Sequence, residues 1–272
     1  MRQERVALQH WDKITSLLEE RRLENLHLLG ALTEGRSDLE GIWVDDPDEP
    51  QGILLQLRGW YRLYARTEEG ALGLLETLHW SGGVNFGGLH RTFVRVLSRT
   101  YKVLSEGPCL LYALPGPVRC DRRHPVRPLR DRDAPLVTRH WRYGDDEEHI
   151  RHRIARGPGF GVEVGGNLVS WALTHADGSM GVLHTLEAHR GKGYARSVVA
   201  VLASAIQEQG RIPFGFIEDS NVHSERVVEA LGFQRIGEYA WLTASLPTRV
   251  SPSGDTASLS GGIPFQQRDS ET

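Results

Sequence analysis

Read by where its apolar residues fall, the chain separates into stretches of helical and of strand period. Between Val6 and Leu32 the apolar positions carry the three-to-four residue spacing of helices. Gly41-Ile42-Trp43-Val44 reads as a strand and Asp45-Asp46-Pro47-Asp48-Glu49-Pro50 as a turn. Gly52–Tyr64 reads as one long strand or a bent pair, Glu68–Leu78 and His90–Ser98 as helices, and Lys102–Leu104 and Cys109–Leu114 as closing strands. A connector rich in proline and arginine, Pro115–Pro128, follows; proline fixes φ and removes a donor, so the interior of an element is not expected there. Beyond it the pattern sharpens. Helices are predicted over Asp133–Trp141 and Asp146–Ala155, with Gly157-Pro158 as a stop. Phe160–Val164 and Leu168–Thr174 flank Gly165-Gly166 as a hairpin, and Met180–Leu186 is the next strand. Ala195, Val198, Val199, Leu202 and Ile206 share one helical face, Pro213–Ile217 reads as a strand, Asn221–Leu231 as a helix ended by Gly232, and Gln234–Thr243 as the last strands.

The 272 residues are enough for two ordinary domains. The pattern places a first domain at 1–118, a second at 119–246 and a disordered Ser/Gly/Pro-rich tail at 247–272. The two halves repeat a similar order of elements, although no residue-level repeat links them. With 39% hydrophobic residues, 25% charged residues and a net charge of −3, the profile is that of a soluble protein with no nucleic-acid partner. Cys109 and Cys120 cannot build a disulfide framework or a four-ligand zinc site by themselves. His149 and His152 read as a solvated helix face and Arg119–Arg132 as a solvated linker, so no metal is expected. No apolar run suggests a membrane span, and the polar start, Met1-Arg-Gln-Glu-Arg, lacks a secretion signal; a cytoplasmic location is expected.

The chemistry concentrates in residues 183–196, Leu-His-Thr-Leu-Glu-Ala-His-Arg-Gly-Lys-Gly-Tyr-Ala-Arg, where a strand passes through a glycine-spaced turn into a helix. The first N–H groups of a helix lack intrahelical acceptors, and the macrodipole adds positive potential. Gly191 and Gly193 let the backbone approach an anion, and Arg190, Lys192 and Arg196 add charge. A pyrophosphate-bearing ligand is therefore expected. The turn lacks both the full dinucleotide spacing and a Gly-Lys-Ser/Thr ending, which argues against NAD or ATP.

Arg190, Gly193 and Ala195 match the pyrophosphate motif of the GNAT acyltransferase superfamily. Ser220-Asn221, Ser224 and Gly232-Phe233 follow where that superfamily has its later helix and its ending. The region resembles the GNAT core. Val137 through Trp141-Arg142-Tyr143-Gly144-Asp145-Asp146-Glu147, Val169-Ser170-Trp171, Thr185-Leu186 before Arg190, and Ser220-Asn221 extend the resemblance to the glycine N-acyltransferase-like branch over residues 126–245. The resemblance implies an α/β (α+β) fold of two GNAT-like lobes. Each would hold a mixed, mostly antiparallel twisted sheet flanked by helices, the N-terminal lobe being degenerate. It also implies that acetyl-CoA or another acyl-CoA lies in a V-shaped gap between the strand ending near Leu186 and the strand Pro213–Ile217. Thr185 and Leu186 would hold the pantetheine arm, Arg190, Gly191, Lys192, Gly193, Tyr194 and Ala195 the diphosphate, and Asn221 the thioester end.

Acyl transfer to an amine needs a route for the amine's proton. Where the branch carries a glutamate base this chain has Ser179, and where many members carry a tyrosine acid it has Val228. His184 and Glu218 are the candidate bases, with Asp177, His175 and Asp219 as further options, and Ser224 is the candidate proton donor to the leaving sulfur. Asp177-Gly178 also reads as an ordinary turn. The expected activity is transfer of acetyl from acetyl-CoA to a primary amine of a small molecule or amino acid, by direct attack. The alternative is an acyl-CoA-binding sensor without turnover. Homodimerisation is left open.

Overall fold

The computed structural model describes residues 10–78, 82–119, 123–141 and 146–245. The expected tail at 247–272, Cys120 and the Arg142–Asp145 part of the branch motif lie outside them. The architecture is mixed α/β, with mostly antiparallel sheets flanked by helices. The described residues form two compact units that interleave along the sequence: those within 10–29, 36–109 and 238–245 make one, those within 30–35 and 110–237 the other. No helix among the described residues is long and apolar enough to cross a membrane.

In the first unit, α1 (Trp11–Glu19) buries Ile14, Leu17 and Leu18, the i, i+3, i+4 stripe of an amphipathic helix. Gly52–Tyr64 is the bent pair: β2 (Gly52–Leu57) and β3 (Trp60–Ala65) turn through Arg58 and Gly59, with φ of 51° and 75°. Two positive φ values in a two-residue loop match the right-handed twist of hairpin strands. β1 (Leu39–Val44) pairs antiparallel with β2. Thr67 caps α3 (Glu68–Glu76) by accepting the Gly70 N–H at 3.0 Å. Residues 84–90, which carried no strand expectation, form β4 (Val84–His90). Gly87 and Gly88 dilute its sequence signal, and ladders on both edges supply what propensity lacks: β3 runs parallel on one side and β11 antiparallel on the other. β4 passes directly into α4 (Arg91–Thr100). The two short closing strands are one, β5 (Lys102–Ala113). The strand order in this unit is β1-β2-β3-β4-β11-β5.

The second unit is built on the sheet β6-β7-β8-β9. Its strands are β6 (Arg127–Pro128), β7 (Gly159–Val164), β8 (Asn167–Thr174) and β9 (Met180–Thr185), all antiparallel. Gly165 and Gly166, with φ of 59° and 81°, turn the expected hairpin. α5 (Ala134–Arg139) and α6 (Glu147–Arg156) cover one face, packing with Leu168, Trp171, Leu173 and Val182. On the other face, α7 (Tyr194–Glu208) sets Val198, Leu202 and Ile206 against Val162, Val169 and Ala172. A second stripe of α7, Val199, Ala200 and Ala203, packs on Leu110 and Tyr112 of β5, on Leu114 just after it and on Ile217 of β10 (Phe214–Glu218). α8 (Val222–Ala230) and β11 (Gln234–Ser245) are the last elements among the described residues. One helix thus bridges two sets of strands.

Two surface expectations are corrected. The linker Arg119–Arg132 is not wholly solvated, because Arg127 pairs bidentately with Asp133 at 2.7 and 3.0 Å and with Glu163 at 2.5 Å. Burial alone would raise the Asp133 carboxyl, but the guanidinium and the Arg130 N–H outweigh it and hold the carboxyl below its ordinary value. The helix face carrying His149 is likewise turned inward: His149 and Arg153 are buried, and Arg153 donates to the Thr174 carbonyl at 2.9 Å.

Candidate functional site

β9 and β10 are neighbours that belong to different sheets. Their starts approach closely, since a Cβ on Gly215 would lie 2.7 Å from the Met180 carbonyl oxygen, yet no ladder joins them. β9 is also irregular on its β8 side, at Val182. In β9 the step from His184 to Gly181 spans three residues while the opposing step from Trp171 to Leu173 spans two, a bulge with Val182 at φ 51°. A β-branched residue in the left-handed region is strained by on the order of 1–3 kcal/mol. Nothing in the local sequence, Met180-Gly181-Val182-Leu183, announces it.

β9 ends at Thr185, whose hydroxyl shares a hydrogen bond with the buried Ser170 at 2.8 Å. The Leu186 N–H continues the pairing onto the Val169 carbonyl at 2.9 Å, so that donor faces β8 and not the seam. A tight turn, Glu187–His189, leads to Arg190, then Gly191 and Gly193 at φ 74° and 85°. Gly193 is the N-cap of α7, and no side chain caps the helix. The N–H groups of Tyr194 and Ala195 therefore receive no side-chain acceptor from the cap residue. Around Gly191 a Cβ would meet nothing within 4 Å, so the space above the loop is open. The cations fold back on the loop's own carbonyls: Arg190 Nε donates to Thr185 O at 3.3 Å, and Lys192 Nζ to Ala188 O at 3.1 Å. Open amides, adjacent cations and free space together suit a diphosphate.

His184 stands on β9 opposite Trp171. Its ring stacks on that of His140 at 4.7 Å and lies 5.1 Å from the fully buried Trp171 indole. Sequence reasoning missed His140; its one signal was adjacency to Trp141 in the branch motif. Asp177 and Ser179 are buried in the turn before β9, where Asp177 Oδ1 accepts the Ser179 N–H at 3.1 Å and its hydroxyl at 2.5 Å. Asp177 is thus a turn-former, and the ordinary turn reading holds. His175 is packed on the strand backbone, its Nε2 2.0 Å from where a Gly181 Cβ would sit.

Across the seam, Glu218 ends β10 half-buried, and its carbonyl accepts the Asn221 N–H at 2.8 Å. Asn221 caps α8, Oδ1 accepting the Ser224 N–H at 3.1 Å, so part of its polar capacity serves the helix. Ser224 is half-buried in the first turn of α8. Val228 is buried with Leu231 and Phe233 in the core. Tyr112, which sequence reasoning also missed, donates to Glu229 at 3.2 Å and lies 3.4 Å from Glu225. Burial, then these two carboxylates, push its phenol up to about 12. The expected residues therefore gather as two lips: His184, Thr185, Leu186 and the 190–195 loop on one, Glu218, Asn221 and Ser224 on the other.

Comparisons with known proteins place this arrangement. Residues 159–242, less than half the chain, match the family described as FR47-like protein. A solved Drosophila protein matches 72% of this chain and 74% of its own, at 17% identity and a TM-score of 0.59. A GCN5-related N-acetyltransferase from Kribbella flavida matches over 81% and 95%, at 14% identity and a TM-score of 0.54. The fold is the GNAT fold. An acetyltransferase of the GNAT family from Colwellia psychrerythraea matches over 85% and 96%, at 13% identity and a TM-score of 0.50. No curated protein sequence matches the chain. At these identities the GNAT likeness is one of fold, and neither donor, acceptor nor the glycine N-acyltransferase-like branch follows from it.

Proposed function

We propose that the second unit is an N-acyltransferase site that uses acyl-CoA, acetyl-CoA first, to acylate a primary amine of a small molecule or amino acid. The observation that carries this is the parted seam between β9 and β10, which runs straight into an uncapped, glycine-hinged helix start. A bound acyl-CoA supplies an acyl group already activated as a thioester. The amides of Gly191, Lys192, Gly193, Tyr194 and Ala195, with Arg190, hold the diphosphate. The backbone of Thr185 and Leu186 lines the lip along which the pantetheine arm lies, and Asn221 offers the opposite lip a side-chain amide.

His184 receives the proton of the attacking amine, its ring held in one orientation by Trp171 and His140. Glu218 is the base candidate on the facing lip, and Ser224 the hydroxyl that returns a proton to the departing sulfur. Holding amine and thioester together supplies much of the acceleration. Calorimetric titration with acetyl-CoA, followed by mass analysis of products from a panel of amines and amino acids, tests the reading. Micromolar binding with N-acetylated product is expected; no binding, or transfer unaffected by blocking the seam, would sink it.

A further inference from the structure

The connector contributes a side chain to the glycine loop. His124 Nε2 lies 2.8 Å from the Lys192 carbonyl oxygen. Its ring meets that of Tyr194, the first residue of α7, edge to face at 4.5 Å. A carbonyl only accepts, so Nε2 carries the hydrogen and donates.

The bonded group is the carbonyl of the peptide unit joining Lys192 to Gly193, with a positive-φ glycine on either side of Lys192. Glycine tolerates both signs of φ, so this peptide, followed by Gly193, can rotate at low cost. A trans peptide is planar, so its C=O and the following N–H point in opposite directions. Holding the Lys192 carbonyl toward His124 therefore aims the Gly193 N–H to the opposite side. Rotation of that unit would turn a carbonyl dipole to where the amide had pointed, which an anion repels.

We infer that His124 is a positioning residue: it latches the Lys192–Gly193 peptide in the orientation that presents the Gly193 amide to a diphosphate. This rests on the acyl-CoA reading above. It gives the connector a part in ligand selection, because a ligand lacking the diphosphate gains nothing from the latch.

The test is calorimetry of coenzyme A and of S-acetylpantetheine, which has no diphosphate, on the full chain and on His124→Ala and His124→Gln. His124→Ala should weaken coenzyme A roughly tenfold and leave S-acetylpantetheine unchanged. His124→Gln, whose amide can donate to the same carbonyl, should restore most of the loss. In the ligand-free protein, His124→Ala should broaden or double the Gly191 and Gly193 amide signals in nitrogen-15 spectra. Equal coenzyme A affinity in wild type and His124→Ala, an equal loss for both ligands, or unchanged glycine signals would each overturn the latch. If wild type itself takes up no coenzyme A while the glycine signals respond as expected, the acyl-CoA reading fails and the latch on the loop stands.

Discussion

Two strand-to-helix junctions in this chain are built from similar parts and reach opposite ends. In the first unit β4 runs directly into α4, and His90 fills the cap position, its Nδ1 accepting the Thr92 N–H at 3.3 Å. β4 pairs with β11 from Val84 to His90, and with β3 at Asn85 and Phe86. In the second unit β9 reaches α7 through a glycine loop, no side chain caps the helix, and the edge of β9 toward β10 has no ladder. A helix capped by a side chain, beside a strand with ladders on both sides, leaves less of its backbone for a ligand to complete. An uncapped helix beside a parted strand leaves donors and acceptors that a ligand can complete.

The contrast can be broken at several points. The largest effect should come from the ion pair at the outer edge of the second unit's sheet. Asp133→Ala leaves the mostly buried Arg127 without its bidentate partner and should cost about 3 kcal/mol in urea unfolding at neutral pH. Because the folded-state carboxyl is held low, its stabilisation is present above the ordinary aspartate value near pH ~3.9 and fades as pH falls through the folded value. The gap between variant and wild type should therefore narrow in acid; a gap independent of pH would deny the pair its role.

Next, His184→Ala should lower kcat about a hundredfold, roughly 2.7 kcal/mol, while calorimetry finds acetyl-CoA affinity intact. An unchanged kcat would move the base to Glu218. Gly193→Val should weaken acetyl-CoA by on the order of tenfold to a hundredfold, since it forces a β-branched residue to φ 85°. A Cβ there would come no nearer to protein than His124 Nε2 at 3.6 Å, so the expected cost is conformational and not steric. The smallest effects should be at the caps. Asn221→Ala and His90→Ala should each cost about 1 kcal/mol of stability. Only the first should also disturb acetyl-CoA binding; a loss of affinity in His90→Ala would blur the distinction between the junctions.

Much of the second unit was legible because its elements are locally consistent. The period-two runs around Gly165-Gly166, the helical stripe from Ala195 to Ile206 and the Gly232-Phe233 ending each state one structure. The loop residues 190–195 were legible for the same reason, since closely spaced glycines before an apolar helix have a backbone meaning by themselves. β4 was hidden, its Gly87-Gly88 pair speaking against the strand that two neighbours impose. The inward turn of His149 and Arg153 was hidden too, since histidine and arginine on a charged helix look solvated until the Thr174 carbonyl is found beneath them.

What the amino-acid order alone decided is local: where strands and helices start and stop, and that a glycine-hinged turn opens α7, because backbone freedom and apolar period are properties of neighbours in the chain. Tertiary structure decided the rest. It strained Val182 into a bulge, parted β9 from β10, stacked His140 on His184 and laid His124 against Lys192. Each of these joins residues far apart in sequence or imposes a conformation their own propensities resist, so none can be read from neighbours in the chain.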